Sequence, residues 1–149
     1  MSKSTYNDID ELFNDLMDDL SGELGKEIGK EMVKIEQEVI DSNVYGAFTP
    51  KEYSRRLDNG GLRSEGNMEI VVTRKGDSVE IEVHNATTGN VLYKNYWQGE
   101  IQDFIESGTY MWNGQMPPPR PFIDDTQEEI DNSNRIEEAV ERALNKLGW

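Results

Sequence analysis

Side chains that could support catalysis are few in this sequence. It contains one histidine, His84, and no cysteine, so a thiol nucleophile and a thiolate zinc site are both excluded. His84 falls on the strand face opposite Val83, where a surface histidine is a simpler interpretation than a general base. The sequence has no GxxxxGK phosphate loop, GxSxG elbow or HExxH helix. We therefore expect a protein that is not an enzyme and has no catalytic residues.

Neighbouring carboxylates are the remaining candidates for chemistry, because divalent cations such as Ca²⁺ prefer oxygen ligands. Three pairs stand out: Asp18 with Asp19, Asp124 with Asp125, and Glu128 with Glu129. The segment 58–61 begins like a calcium loop but lacks ligands at its third and fifth positions. Solvated helix faces explain these pairs, and we expect neither a metal nor another cofactor.

Charge is distributed unevenly along the 149 residues, which include 30 acidic and 15 basic side chains and carry a net charge of -15. The two ends, 1–42 and 100–149, hold the acidic surplus, whereas the middle is neutral and contains a cationic cluster. That cluster consists of Arg55, Arg56, Arg63, Arg74 and Lys75. A negative field repels phosphates, so we do not expect nucleic-acid binding through a basic patch. The charge could serve solubility alone, or it could orient docking between unlike surfaces.

The amino-terminal region predicts a long helix over 8–42, because apolar residues recur there every three or four positions. A straight helix of that length would extend for roughly 50 Å at 1.5 Å per residue and would overhang a compact body. Gly22, Gly25 and Gly29 weaken the helix. We expect a break near 22–25, with the first segment contacting a neighbouring subunit. The spacing of Gly25 and Gly29 alternatively suits close packing against a strand.

The middle of the chain predicts an antiparallel meander of three to four strands. Apolar and polar residues alternate over 68–73 and 79–84, on either side of a turn at 75–77, which is typical of a hairpin with one buried face. We interpret 44–48 as a short strand or extended entry, and 91–97 as a third or fourth strand.

The last third predicts a short helix over 100–107 and then a stiff Pro-rich elbow at 117–121, since proline disfavours helix interiors. A C-terminal helix follows from Phe122, with a possible interruption at 132–134 and Gly148 as its terminator.

The expected fold class is therefore α+β, with the meander flanked by the long N-terminal helix, the short helix and the C-terminal helix. We divide the chain into an N-terminal helical arm, 1–42, and an α+β core domain, 43–149. No signal peptide or membrane-spanning stretch is evident, so the sequon at 85–87 is interpreted as an ordinary turn and not as a glycosylation site.

Several short motifs follow one another in a fixed order from the middle of the chain to its last helix. They are Val44-Tyr45, Thr49-Pro50, Tyr53-Ser54-Arg55-Arg56, Gly60-Gly61-Leu62, Asn67-Met68-Glu69-Ile70-Val71-Val72 and Pro119-Arg120-Pro121-Phe122-Ile123. In this combination and order they resemble the small neck proteins of tailed bacteriophages, which act in head–tail joining or tail completion. The likeness covers about residues 30–147.

The resemblance implies a structural virion protein that forms a homo-oligomeric ring with portal, adaptor or tail-tube partners. Such a protein is made in the host cytoplasm and incorporated into the virion, and genomic DNA would pass through the ring without specific binding. No membrane and no small-molecule substrate is implied. We expect the contact residues to be Arg55, Arg56, Arg63, Arg120, Pro121 and Phe122. Phe122, together with Ile123, could instead belong to the core.

A second hypothesis comes from a different class of protein, an acidic phage-encoded inhibitor that mimics DNA and blocks a host defence protein. Carboxylates three or four residues apart on a helix lie about 5–6 Å from each other at their Cβ atoms, close to the spacing of phosphates. The neutral middle with its cationic cluster argues against this hypothesis.

Overall fold

The fold is α+β, as the sequence predicts. The computed structural model describes residues 5–46, 57, 60–88, 105 and 120–149. The described part contains helices α1 (Ile9–Ser21), α2 (Glu23–Val39), α3 (Phe122–Asn132) and α4 (Arg135–Leu147), and a hairpin of β1 (Met68–Lys75) and β2 (Ser78–Asn85). A π-helical segment, Ile40–Tyr45, continues α2, and a 3-10 turn, Glu65–Asn67, precedes β1.

The predicted break in the N-terminal helix is confirmed at Gly22. Asp8 caps α1 by accepting a hydrogen bond from the Glu11 amide at 2.8 Å. At the other end, Gly22 leaves helical geometry with φ -97° and ψ -125°, and its amide donates to the Asp19 carbonyl. The chain therefore turns at Gly22 and continues into α2 in a new direction.

Gly25 and Gly29 allow α2 to lie very close to β1, which confirms the strand-packing interpretation of their spacing. A Cβ atom at Gly25 would lie 2.7 Å from Val72 Cγ1 and 2.5 Å from the Leu20 carbonyl oxygen. One at Gly29 would lie 2.3 Å from Ile70 Cγ2. Such distances are well below carbon contact distances of about 3.5–4.0 Å, so the two glycines set the separation between helix and strand.

The strand or extended entry predicted at 44–48 is wrong for residues 44 and 45. Both belong to the π-helical segment, and Ile40 and Val44 are buried on one of its faces. The wider π turn is closed by a hydrogen bond between residues five positions apart, from the Gly46 amide to the Asp41 carbonyl at 2.9 Å. The apolar spacing of α2 simply continues, and an isolated apolar pair cannot distinguish that from a strand.

The predicted hairpin is confirmed with its turn. Lys75 pairs with Ser78 across the turn, Ile70 pairs with Val83, and Val72 pairs with Ile81. Gly76 has φ +63°, a conformation that glycine adopts at little cost. The apolar face of the hairpin packs on α2, while His84 pairs with Glu69 on the other face.

Helix α2 is the centre of the described structure, since it contacts α1, α3, α4 and both strands. The core cluster gathers Val33, Val39, Ile40, Val44, Leu62, Met68 and Phe122. Its members come from both sides of residue 43, where the sequence analysis placed a boundary between arm and core. Residues 23–42 thus pack as an integral layer of the α+β body.

The C-terminal helix is interrupted as predicted, with α3 ending at Asn132 and α4 beginning at Arg135. Gly148 terminates α4 in the left-handed conformation, φ +83°. Helix α3 begins at Phe122, directly after Pro121. The strand predicted at 91–97, most of the helix predicted at 100–107 and the first three residues of the Pro-rich elbow lie outside the described residues.

Gly25→Ala tests the close approach of α2 to β1. Overpacking a tight contact costs about 1–3 kcal/mol, whereas the better helix propensity of alanine returns about 1 kcal/mol. Because the new methyl meets a backbone oxygen as well as Val72, we expect a net loss of about 1–2 kcal/mol in the free energy of unfolding, measured by urea denaturation. Gly66→Ala is the matched control, because no atom lies within 4 Å of its added Cβ. Equal stability of the two variants would contradict the close packing.

Candidate interaction surface

Two of the predicted contact regions lie beside the same element, the π-helical segment Ile40–Tyr45. Arg63 Nε lies 2.9 Å from Asp41 Oδ1, and the Arg63 amide donates to Tyr45 Oη at 3.4 Å. On the other side, Asn43 Nδ2 donates to Asp125 Oδ2 in α3 at 2.6 Å. Segments more than 50 residues apart in sequence therefore meet at the carboxyl-terminal end of α2.

The step into α3 is built from Arg120, Pro121 and Phe122. The Arg120 amide donates to the Ile105 carbonyl at 2.9 Å, and the Phe122 amide donates to the Arg120 carbonyl at 2.8 Å. Pro121 is exposed, Arg120 is half-buried and Phe122 is fully buried in the core. Phe122 thus anchors the start of α3 in the core, which agrees with the alternative that this residue belongs to the core. Pro121, next to it, lies on the surface. Ile123 is 39% exposed.

Arg55 and Arg56, the other two predicted contact residues, lie outside the described residues. The structure therefore brings Arg63 and the Arg120–Phe122 step to one end of α2. Arg74, which the sequence placed in the same cationic cluster, lies at the hairpin tip and forms an ion pair with Asp18 of α1.

A buried polar cluster, which the sequence analysis missed, holds the loop that carries Arg63. Asn85 Nδ2 donates to Glu36 Oε1 at 2.9 Å and to the Leu62 carbonyl at 2.8 Å, while its Oδ1 accepts from Thr87 Oγ1 at 2.6 Å. Glu36, Asn85 and Thr87 are 5%, 2% and 0% exposed. Buried polar groups with matched partners specify one arrangement of the chain. The sequon is thus a structural clamp between the end of β2, α2 and the loop.

Ion pairs join α2 to α4 on the side away from the hairpin. Arg135 binds Glu31 at 2.9 Å and also binds Glu38, and Lys146 Nζ lies 2.6 Å from Glu27 Oε1. The hydrogen bond to Glu38, and after it the one to Glu31, raises the pKa of Arg135 above its ordinary value. The Lys146 ammonium, through its hydrogen bond and then its charge, lowers the pKa of Glu27, and Glu27 in turn raises the pKa of Lys146. Several of the acidic residues of the N-terminal third are therefore neutralised within the monomer.

The amino-terminal half of α1 exposes apolar side chains. Ile9, Leu12 and Phe13 are 77%, 37% and 41% exposed, whereas Met17, one to two turns further on, is buried.

A smaller apolar feature is a shallow groove of about 440 Å³ along α4, lined by Ile136, Val140, Leu144 and Trp149 together with the polar residues Glu137, Glu141 and Asn145. Trp149 stacks on Tyr6 with ring centroids 6.1 Å apart and donates from Nε1 to Asp19 Oδ2. Exposed apolar side chains grouped on one helix are typical of a protein interface.

Within the described ranges, no group of three or more His, Cys, Asp or Glu side chains is placed to hold a metal ion. The same residues contain no helix long and apolar enough to cross a membrane. The carboxylate pairs of α1 and α3 lie on exposed or half-exposed helix positions.

Comparison with known proteins places this chain among phage-associated proteins. It belongs to the YomN family, whose family model matches residues 8–146. The family supports the phage origin that the motifs imply. Neither a curated protein nor a solved structure matches the chain.

Asn85→Ala tests the buried clamp. The substitution removes the amide donor from Glu36 and from the Leu62 carbonyl, and an unsatisfied buried acceptor costs about 1–3 kcal/mol. We expect a loss at the upper end of this range, because one acceptor is a carboxylate, measured as the free energy of unfolding. Asn145→Ala, on the exposed side of α4, should change stability by less than about 0.5 kcal/mol. If the two variants had the same free energy of unfolding, the clamp would contribute nothing to stability and the prediction would be wrong.

Glu27→Gln tests the pair with Lys146 through pH. A carboxylate with a lowered folded-state pKa stabilises the fold above its ordinary pKa of 4.5 and loses that contribution as pH falls through the lowered value. We expect the variant to melt at a slightly lower temperature than the wild type at pH 7 and at the same temperature in the acid range. Glu137→Gln, an exposed carboxylate of α4, corrects for the general relief of negative charge. A melting difference that persists unchanged at acid pH would contradict the pairing.

Proposed function

We propose that this YomN-family protein is a structural component of the phage particle that acts at the head–tail junction and assembles into a ring with copies of itself and with portal or tail partners. The observation that carries the proposal is the exposed apolar half of α1. The motif order that resembles neck proteins and the phage-associated family support it. The proposed role involves no chemical step.

The amino-terminal half of α1 is a suitable subunit contact, because the apolar stripe of this helix continues past the point where the monomer buries it. Met17 packs inside the monomer, but Ile9 and Phe13 continue the same stripe into solvent. Leaving such residues in water forgoes about 25 cal/mol for each Å² of apolar surface that a partner could cover. A neighbouring copy that covers the stripe would recover this free energy.

The second proposed contact lies at the other end of α2. Helix α1 joins α2 at its amino-terminal end, whereas Arg63 and Pro121 lie beside the π-helical segment at its carboxyl-terminal end. Two different surfaces at opposite ends of one helix suit heterologous contacts, in which one face meets a different face of the next copy. Contacts of this kind generate closed rings when the rotation between copies closes.

Immunodetection in purified particles tests the location. Phage particles are separated from soluble lysate on a density gradient and probed for an epitope-tagged copy of the protein expressed from the phage genome. We expect the tag to co-migrate with infectious particles at a constant ratio to the capsid protein. If the protein is instead confined to the soluble fraction in complex with a host DNA-binding protein, from which DNA displaces it, the DNA-mimic hypothesis replaces this one.

The double variant Ile9→Asp with Phe13→Asp tests the α1 contact. Both side chains are exposed in the monomer, so its free energy of unfolding should change by about 0.5 kcal/mol or less at each site. We expect at least a roughly tenfold loss of incorporation into particles, because charged side chains at the centre of an apolar contact are costly to bury. Val71→Asp, at an exposed apolar position on the hairpin, is the control and should be incorporated normally. Normal incorporation of the double variant would remove α1 from the interface.

A further inference from the structure

Three lysines form a row on the solvent face of α2. Lys26, Lys30 and Lys34 are spaced four residues apart and are all exposed. Residues with this spacing lie on one side of a helix. At 1.5 Å per residue the row extends for about 12 Å.

The row differs from the other described cations in having almost no partners. Arg63, Arg74, Lys75, Arg135, Arg142 and Lys146 each lie within 4.0 Å of a carboxylate. In the described part of the chain, Lys26 and Lys30 form no ion pair. Lys34 lies 3.7 Å from Glu31, which already binds Arg135 at 2.9 Å. The charge of Lys30 also contributes to the lowered pKa of Glu27, which is bound mainly by Lys146. The row is therefore exposed and only weakly compensated within the monomer.

A row of opposite charge and similar length lies on α3. Asp124, Glu128 and Asp131 are all exposed, on the side of α3 opposite the buried Phe122 and Thr126. The first and last are seven positions apart, or about 10 Å. Each molecule thus carries one basic row on α2 and one acidic row on α3, with nearly equal lengths and three charges each.

We propose that the Lys26, Lys30 and Lys34 row of one copy docks against the Asp124, Glu128 and Asp131 row of a second copy. This inference rests on the ring proposed above and names the contact that orients its subunits. Because the two rows belong to different elements, the contact is head to tail, and every copy offers one row of each sign. If one copy is turned so that two lysine rows or two acidic rows meet, like charges repel, so the rows favour a single relative orientation of neighbouring copies.

A nucleic acid is a poorer occupant of the lysine row than a second copy. The net charge of -15 repels a phosphate backbone over the whole molecule. Glu23 and Glu27 lie on the same exposed side of α2 as the lysines, and they would face the phosphates. The three carboxylates of α3 form a short row and not a continuous chain of phosphates, so they can contact the lysines while facing fewer of these glutamates.

The charge swap provides the test. Lys26→Glu with Lys30→Glu makes the basic row acidic, Glu128→Lys with Asp131→Lys makes the acidic row basic, and a third variant combines all four changes. Self-association is measured by sedimentation velocity over a concentration series. We expect each double variant to weaken association roughly tenfold, since several exposed pairs of modest strength are replaced by repulsion. The combined variant should recover wild-type association, because it restores opposite rows with the signs exchanged.

Salt dependence and single reversals are the controls. Raising the ionic strength from about 0.1 M to 1 M shortens the screening length from about 10 Å to 3 Å and should weaken wild-type association. Lys30→Glu should weaken association more than Lys75→Glu, which makes the same change of charge at the hairpin tip. Thermal melting of every variant verifies folding, and the neutral variant Lys26→Gln with Lys30→Gln replaces the reversal if the latter melts early.

Several outcomes would overturn the inference. They are a monomeric wild type at its highest soluble concentration, undiminished association of either double variant, or failure of the combined variant to recover. Binding of a labelled DNA duplex that is lost in Lys26→Glu with Lys30→Glu would assign the row to nucleic acid instead. Detection in particles is a separate result. If the protein is present in virions but its self-association does not respond to the charge reversals, the proposed function stands and this contact is wrong. If its self-association responds as expected but the protein is absent from virions, the contact stands and the neck role is wrong.

Discussion

The close approach of α2 to β1 is the constraint on which the rest of the described structure depends. With no Cβ at Gly25 and Gly29, the helix lies directly against the side chains of Val72 and Ile70. At this distance one face of α2 is buried by the hairpin, which leaves its flanks for other helices. Helices α3 and α4 then pack on α2. The core cluster forms toward the carboxyl-terminal end of α2, where the start of α3, the start of β1 and Leu62 meet it. The buried hydrogen bond from Asn85 to Glu36 at 2.9 Å joins β2 directly to α2 and therefore depends on the same packing of the hairpin on the helix.

The same placement of α2 sorts its charges. Glu27, Glu31 and Glu38 lie toward α4 and are bound by Lys146 and Arg135, so they contribute to packing as well as to the acidic total. Lys26 and Lys30 lie beside these glutamates on the solvent side of α2 and form no ion pair in the described part of the chain, although the charge of Lys30 contributes to the lowered pKa of Glu27. A net charge of -15 therefore does not describe a uniform acidic surface. It is the sum of an internal set of neutralised pairs, exposed acidic faces on α3 and α4, and one exposed basic row.

Local signals in the sequence predicted the elements that local interactions determine. The hairpin was predictable because its alternation and the glycine of its turn lie within 20 residues, and the breaks at Gly22 and at 132–134 follow from residues with weak helix propensity. The interpretation of 44–48 as a strand failed because Val44 and Tyr45 continue a helix whose π turn is closed by backbone bonds that no side-chain pattern reveals. The clamp was missed for a different reason: the partners of Asn85 are Glu36 and Leu62, and only the tertiary fold brings them together. The sequence also could not show that Arg63 lies near the Arg120–Phe122 step, because these predicted contact residues are far apart in the chain and only the tertiary fold brings them together.

Weak individual contacts are compatible with a stable ring. Exposed ion pairs contribute about 0–1 kcal/mol each, and the apolar half of α1 offers three side chains, so one interface between two copies is modest. In a closed ring each subunit makes two such contacts, and the last one forms at a high effective concentration because its partners are already held. Each contact then has to join free subunits only weakly, at high protein concentration. The proposed ring would therefore form most readily where a preassembled partner gathers the copies, and the charged rows would determine their orientation there rather than the strength of the assembly.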